Sequence, residues 1–263
     1  MKRLSFAKYH GTGNDFILID NRQTDHLFST ETINKMCHRR FGIGADGLML
    51  LNRKDGYDFE MVYYNADGRE GTMCGNGGRC MVAFAHRLGI VEKDARFAAI
   101  DGEHVAEVIG LSGNQVRVKL KLKDVDDIQI QPDYYFLDTG SPHYVTFVND
   151  VENLDVYNEG RKIRYHDRFA PAGTNVNFVE IFNTHLFVRT YERGVEDETY
   201  SCGTGIVASA LATALKTGAD VDSYEIKTRG GELKVYFNKQ GEAFRDIWLE
   251  GPVVCVFNGE IGI

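Results

Sequence analysis

The sequence predicts an α+β protein of two related domains, each a set of strands closing on one helix. Three observations carry that expectation. Most segments alternate apolar and polar residues with the period of a strand. Two cysteine–glycine motifs, "CGNGG" at 74–78 and "CGTG" at 202–205, each open a helix-like run. The surroundings of the motifs also repeat in order: "GTGNDFILI" (11–19) aligns with "GTNVNFVEI" (173–181), placing Phe16 on Phe178. From phenylalanine to cysteine the separation is 58 residues in the first half and 24 in the second. On that alignment the first half carries an extra helix and strand, within 26–51.

The elements follow in chain order. "TETINKMCHRRF" (30–41) reads as an amphipathic surface helix with Ile33, Met36, Cys37 and Phe41 inward. "DFEMVYYN" (58–65) reads as a strand. The run after Cys74, through "GRCMVAFAHRLG", is a helix with Gly89 placed to end it. "QVRVKLKL" (115–122) alternates Val116, Val118, Leu120 and Leu122 against Arg117, Lys119 and Lys121, a strand with one wet face. The polar stretch 121–133 is the expected crossover, giving domains 1–122 and 123–251. "THLFVRTYE" (184–192) and "ELKVYFN" (232–238) are strands. The run after Cys202 is apolar nearly all round, so a buried central helix ending at Gly218 is expected. The strand "PVVCVFNGEI" (252–261) returns to the first domain, so that domain takes 252–263 as well.

Composition excludes several classes. The chain has 263 residues, is 43% hydrophobic and carries a net charge of −8. An acidic surface repels phosphate backbones, so nucleic acid is not an expected partner. No run has the apolar length of a membrane span; "GIVASALATAL" is too short. No apolar stretch follows the basic start, so no leader is expected. Five cysteines (37, 74, 80, 202 and 255) form no disulfide framework and suit a reducing cytoplasm.

The chemistry lies at the two motifs. A helix start has free N–H groups and a partial positive charge, so it binds carboxylates and lowers a thiol's pKa. Two such starts on two equivalent domains, meeting at a cleft, would place one sulfur on each side of a substrate α-carbon. Inversion there needs a base on one face and an acid on the other, roles that a thiolate and a thiol exchange with direction. No lysine is singled out for a pyridoxal Schiff base, so no cofactor is expected.

These residues resemble the diaminopimelate epimerase family. The shared stretches are "HGTGNDF" (10–16), "GIGADGL" (42–48), "YNADGREGTMCGNGGRC" (64–80), "SPHYV" (141–145), "GTNVNF" (173–178) and "YERGVEDETYSCGTG" (191–205). The resemblance implies two pseudo-symmetric barrel-like domains, each a mixed sheet wrapped around a central helix, with the active site in the cleft between them. It implies conversion of LL-diaminopimelate to the meso isomer in lysine and peptidoglycan precursor synthesis, by a cytoplasmic homodimer. Cys74 and Cys202 would be the acid/base pair. Gly75, Asn76, Gly203 and Thr204 would offer backbone N–H groups to the reacting carboxylate. Glu192 and His143 would hold the amino group there, and Asn14, Asn65, Asn175 and Arg193 would read the distal end. Two positions depart from the family pattern: Gly47 stands where many members have Gln, and Ser141 where many have Asn.

Simpler readings compete at several residues. Cys37, Cys80 and Cys255 sit in apolar-periodic elements and read as small core residues. No Cys-x-x-Cys exists, so zinc is not expected. "GTGIVA" (203–208) matches a dinucleotide fingerprint but follows a charged stretch instead of an apolar strand. His10, His38 and His86 read as structural, and Asp46 and Asp67 as turn residues beside glycine. Proline racemases also use paired cysteines, yet usually have His where this chain has Asn76.

Overall fold

A computed structural model of the chain describes residues 3–24 and 26–262. Positions 1, 2, 25 and 263, which the expected domain ranges include, lie outside the described residues. The chain forms two compact units, Met1–Leu120 with Gly251–Ile263, and Lys121–Glu250.

The first unit contains β1 (Arg3–Gly11), β2 (Asn14–Asp20), α1 (Thr30–Cys37), β3 (Gly47–Asn52), β4 (Phe59–Asn65), α2 (Gly75–Arg87), β5 (Asp94–Ala99), β6 (Gly102–Ser112) and β7 (Gln115–Lys121). The second contains β8 (Ile128–Ile130), β9 (Tyr135–Asp138), β10 (Pro142–Phe147), α3 (Val156–Arg164), β11 (Asn175–Ile181), β12 (Leu186–Glu192), β13 (Asp197–Thr199), α4 (Gly203–Thr217), β14 (Ser223–Thr228) and β15 (Gly231–Gln240). The long β16 (Ala243–Gly262) gives its first part to the second unit and its remainder to the first.

In the first unit neighbouring strands pair in the order β1 to β7, and β16 then pairs with both β7 and β1. The sheet is therefore a closed barrel with no free edge. In the second unit the order is β8, β9, β10, β11, β12, β14, β15, β16, and β13 pairs with β12. A bridge between Val125 and Phe244 joins the segment before β8 to β16. Each sheet wraps one helix. In α2, Gly75 through Ala85 are all buried, and the helix touches β1, β2, β3, β4 and β6. In α4, Ile206, Val207 and Leu211 are fully buried, each worth roughly 1.5–3 kcal/mol on transfer from water. The hydroxyls of Ser209 and Thr213 each donate to a carbonyl one turn back at 2.7 Å, so α4 buries them satisfied, and the exposed Thr217 repeats the bond at 2.9 Å.

Both units use one succession of pairings: antiparallel, parallel, antiparallel, parallel, antiparallel, antiparallel. It runs through β1 to β7 in the first. In the second it runs through β9, β10, β11, β12, β14, β15 and β16. This corrects the sequence alignment by one strand. Phe16 lies on β2, whose counterpart is β10, whereas Phe178 lies on β11, whose counterpart is β3. Hence 26–51 is not an insertion: α1 between β2 and β3 matches α3 between β10 and β11. The likeness of "GTGNDF" to "GTNVNF" is the local likeness of two strand starts, and it misled because both need glycine followed by polar residues.

Two other expectations change. The helix from Thr30 ends at Cys37, capped at its start by Ser29, and Phe41 lies 81% exposed instead of inward. The chain turns after Cys37, where Gly42, Ile43 and Gly44 N–H groups bond back to carbonyls of residues 36 and 38. The 121–133 stretch is not a bare crossover, since it carries the Val125 bridge and β8. Gly218 ends α4 in the left-handed conformation, φ 63°.

Candidate active site

Cys74 and Cys202 are the N-cap residues of α2 and α4, with nearly the same backbone: φ −111°, ψ 122° and φ −109°, ψ 109°. Neither side chain caps its helix, and neither helix has an acidic residue in its first turn. The two other α-helices differ on both counts. Ser29 caps α1 with Glu31 following, and Asp155 caps α3 with Glu159 following. An N-cap oxygen contributes about 1 kcal/mol and a first-turn carboxylate about 0.3–1 kcal/mol. α2 and α4 forgo both, so neither helix neutralises its own positive end beside its thiol.

In the first unit the Cys74 Sγ donates to Asn14 Oδ1 at 3.5 Å, and Asn76 Nδ2 donates to the same oxygen at 3.4 Å. Asn14 Nδ2 donates to Asp46 Oδ2 at 2.7 Å, which fixes the amide's orientation. Asp46 is therefore more than a turn residue: it anchors Asn14 and also accepts from Arg39. Beside it Asp15 receives Lys8 and Arg39. Burial alone would raise the Asp15 carboxyl, but those cations outweigh it and hold it at about 2. Asn65, at the end of β4, is exposed, and its Oδ1 accepts from Tyr63 Oη at 3.0 Å. Gly47 leaves room for that tyrosine: a Cβ there would stand 2.5 Å from its ring and from the Tyr64 carbonyl.

In the second unit Cys202 Sγ lies 3.6 Å from Thr204 Oγ1. Thr204 meets His143 Nε2 at 2.9 Å and Ser141 Oγ at 3.4 Å. His143 is fully buried, and burial pushes its pKa down to about 3. Asn177 Nδ2 must be a donor, because it also meets the Tyr144 carbonyl at 3.0 Å; it lies 3.1 Å from His143 Nδ1. Nε2 then carries the proton, and His143 is a neutral donor behind Thr204 and Ser141. Asn175 is also committed: its Nδ2 donates to Ser141 Oγ and the Pro142 carbonyl, and its Oδ1 accepts the Arg193 N–H at 2.8 Å. Glu192 and Arg193, at the end of β12, are half-buried. The second glycine of the motif serves packing, since a Cβ on Gly205 would lie 2.3 Å from Asn177 Oδ1.

The family model described as diaminopimelate epimerase matches residues 6–120 and 135–256. The chain belongs to the diaminopimelate epimerase family. A protein of Flavobacterium psychrophilum with that name is 50% identical over 260 residues, 98% of this chain and 100% of that one. Another, from Chlorobaculum tepidum, is 46% identical and covers 95% of this chain and 98% of its own. Among solved structures, a Bacillus anthracis phenazine biosynthesis protein of the PhzF family superposes with TM-score 0.77 at 15% identity, covering both chains fully. A probable proline racemase from Agrobacterium radiobacter K84 superposes with TM-score 0.68, also at 15% identity, over 99% of this chain and 93% of that one. These two share the fold of this epimerase-family chain.

The remaining thiols differ from the motif pair. Burial raises Cys37 to about 11 and drives Cys80 higher still. Cys255 is half-buried, not core, with the Arg87 guanidinium 2.7 Å from its sulfur. Among the described residues no cluster of His, Cys, Asp or Glu could hold a metal ion, and no helix is long and apolar enough to cross a membrane. Sequence reasoning overlooked Asp46, Asn177 and Tyr63 as supports. Asn177 had a signal: an asparagine at a mid-strand position flanked by apolar residues has to be bonded inside.

Proposed function

We propose that this chain interconverts LL- and meso-2,6-diaminopimelate by a two-cysteine inversion that needs no cofactor. One observation carries this reading: two units of one topology each present a cysteine at an uncapped, acid-free helix start. One thiolate takes the α-proton, the electron pair moves into the substrate carboxylate, and the other thiol returns a proton to the opposite face. The first-turn N–H groups at Gly75, Asn76, Gly203 and Thr204 stabilise the charge gathering on that carboxylate. Glu192 receives the ammonium at the reacting centre, with His143 fixing Thr204 and Ser141 from behind. Asn14, Asn65, Asn175 and Arg193 form the polar frame for the distal amino-acid end. The enzyme would work in the cytoplasm as a homodimer.

Proton NMR of LL-diaminopimelate with reduced protein in deuterium oxide tests the reading. Loss of the α-proton signal with growth of the meso isomer is expected. No exchange with diaminopimelate, but exchange with proline, would replace it with a proline-type racemase.

A further inference from the structure

The corner between β12 and β13 is held by a carboxylate that the proposed reaction does not use. Glu196 stands there in the left-handed conformation, φ 59°, which a residue other than glycine keeps only where its surroundings fix it. Its N–H donates to the Glu192 carbonyl at 2.8 Å. Its Oε1 accepts from Arg164 Nε at 3.2 Å, from Arg164 Nη2 at 3.0 Å and from the Gly194 N–H at 3.0 Å. Its Oε2 accepts from Tyr165 Oη at 2.9 Å and from Tyr191 Oη at 3.3 Å. Burial alone would raise this carboxyl, but the Gly194 N–H, Tyr165 and Arg164 outweigh it and hold it low, so it is charged at neutral pH.

Arg164 ends α3, and its side chain is only 13% exposed. Its guanidinium lies over Gly173, where a Cβ would stand 1.4 Å from Nη1. Two residues later Asn175 begins β11. Asn175 Oδ1 accepts the Arg193 N–H at 2.8 Å, and Arg193 Nη1 donates to the Ala172 carbonyl at 3.3 Å. The contacts close a ring: Arg164 meets Gly173, the segment 172–175 meets Arg193, Gly194 meets Glu196, and Glu196 returns to Arg164. The matching corner after β4 is built differently. There Asp67 and Arg69 stand 3.9 Å apart with both side chains mostly exposed, and such a pair contributes little.

We propose that the Arg164–Glu196 pair is a clasp that positions Glu192, Arg193 and Asn175 for the substrate. The clasp reaches Glu192 through its carbonyl, Arg193 through the Gly194 peptide that follows it, and Asn175 through the close approach at Gly173. The inference rests on the epimerase reading and adds two positioning residues to it.

Kinetics on LL-diaminopimelate test the clasp, beside amide hydrogen exchange without substrate. Glu196→Ala should raise KM about tenfold while kcat stays within about threefold, because binding groups move and the sulfurs do not. Glu196→Gln should restore most of the loss: one oxygen still meets Arg164 and Gly194, and the tyrosine hydroxyls turn to accept from the amide nitrogen. Arg164→Met should also raise KM about tenfold, and the double variant little further, since the two residues act as one unit. Without substrate, the N–H groups of Arg193, Gly194 and Glu196 should exchange about tenfold faster in Glu196→Ala. An unchanged KM in folded Glu196→Ala, with only a lower urea midpoint, overturns the proposal, as do losses from the two residues that simply add. If Glu196→Ala does not fold, Arg164→Met carries the same test. If the wild-type chain does not turn over diaminopimelate, the epimerase reading fails by itself, and unchanged exchange in Glu196→Ala would separately overturn the clasp.

Discussion

Matched strand by strand, the two units place different residues in one row beside their cysteines. In the first, Phe16 lies beside Gly47 on β3, and Gly47 beside Asn65 on β4. In the second, His143 lies beside Asn175, and the pairing of Val176 with Tyr191 puts Asn175 beside Glu192. Two residues before the row stand Asn14 and Ser141, each bonded to the second residue of its helix, Asn76 or Thr204. The backbone device is thus duplicated while the side chains around it are not. The second unit carries a bonded imidazole and a carboxylate in its row; the first carries a neutral amide propped by Tyr63. On the proposed function, one end of the substrate reacts while the other is held, and that division calls for such an asymmetry.

The largest effect that can break the equivalence comes from the sulfurs. On the proposed two-thiol inversion, Cys74→Ala and Cys202→Ala should each lower turnover by about 10²–10⁴-fold, because each would remove the acid or base for one face. A near-native rate in either variant, measured by α-proton exchange, would take that residue out of the mechanism.

Next come the glycines three residues after each cysteine. A Cβ on Gly205 meets Asn177 Oδ1 at 2.3 Å and the His143 ring at 3.3 Å, a rigid hydrogen-bonded pair. A Cβ on Gly77 meets the terminal methyl of Met49 at 2.8 Å, which can move aside. Gly205→Ala should therefore cost about 1–3 kcal/mol and Gly77→Ala clearly less, as read from urea midpoints. Equal costs would mean that the two helix starts do not differ in support.

His143 adds a pH dependence that the first unit's Phe16 cannot. Its folded pKa of about 3 lies below the ordinary histidine value, so the unfolded chain binds the proton more readily. Its contribution is present above about pH 6.5 and is lost as pH falls toward 3, by at most about 1.4 kcal/mol per pH unit. Asp15, held low, adds its own loss only as pH falls from about 4 toward 2. Denaturation curves between pH 7 and 5 should thus flatten in His143→Asn and not in Asp15→Asn.

Tyr63→Phe is the mildest change, removing one hydroxyl and its bond to Asn65. KM should rise roughly fivefold, about 1 kcal/mol, with kcat nearly unchanged. A fall in kcat alone would place Tyr63 near the reacting centre instead.

Much of this was legible in the sequence. The glycine-opened helices showed because cysteine replaces the usual Ser or Asp cap and no acid follows, both local features. The apolar circumference of α4 announced burial for the same reason. Strand correspondence did not show, because a β-strand start has a weak signature and two unrelated starts shared glycine and asparagine. Phe41 misled for a related reason: helical periodicity continues into "HRRF", but the tight backbone turn at Gly42 ends the helix four residues earlier. Arg79 was visible as a letter but not as a buried charge, since burial of a guanidinium is set by strands distant in sequence.

The most direct test of two bases, one from each unit, is where solvent deuterium first appears. LL-diaminopimelate is converted in deuterium oxide and sampled below about one tenth of equilibrium conversion, and substrate and product are separated and weighed. Two bases predict an α-deuteron in nearly every meso molecule and almost none in the remaining LL pool. Early deuterium in both pools would mean that one base serves both faces, contradicting the account.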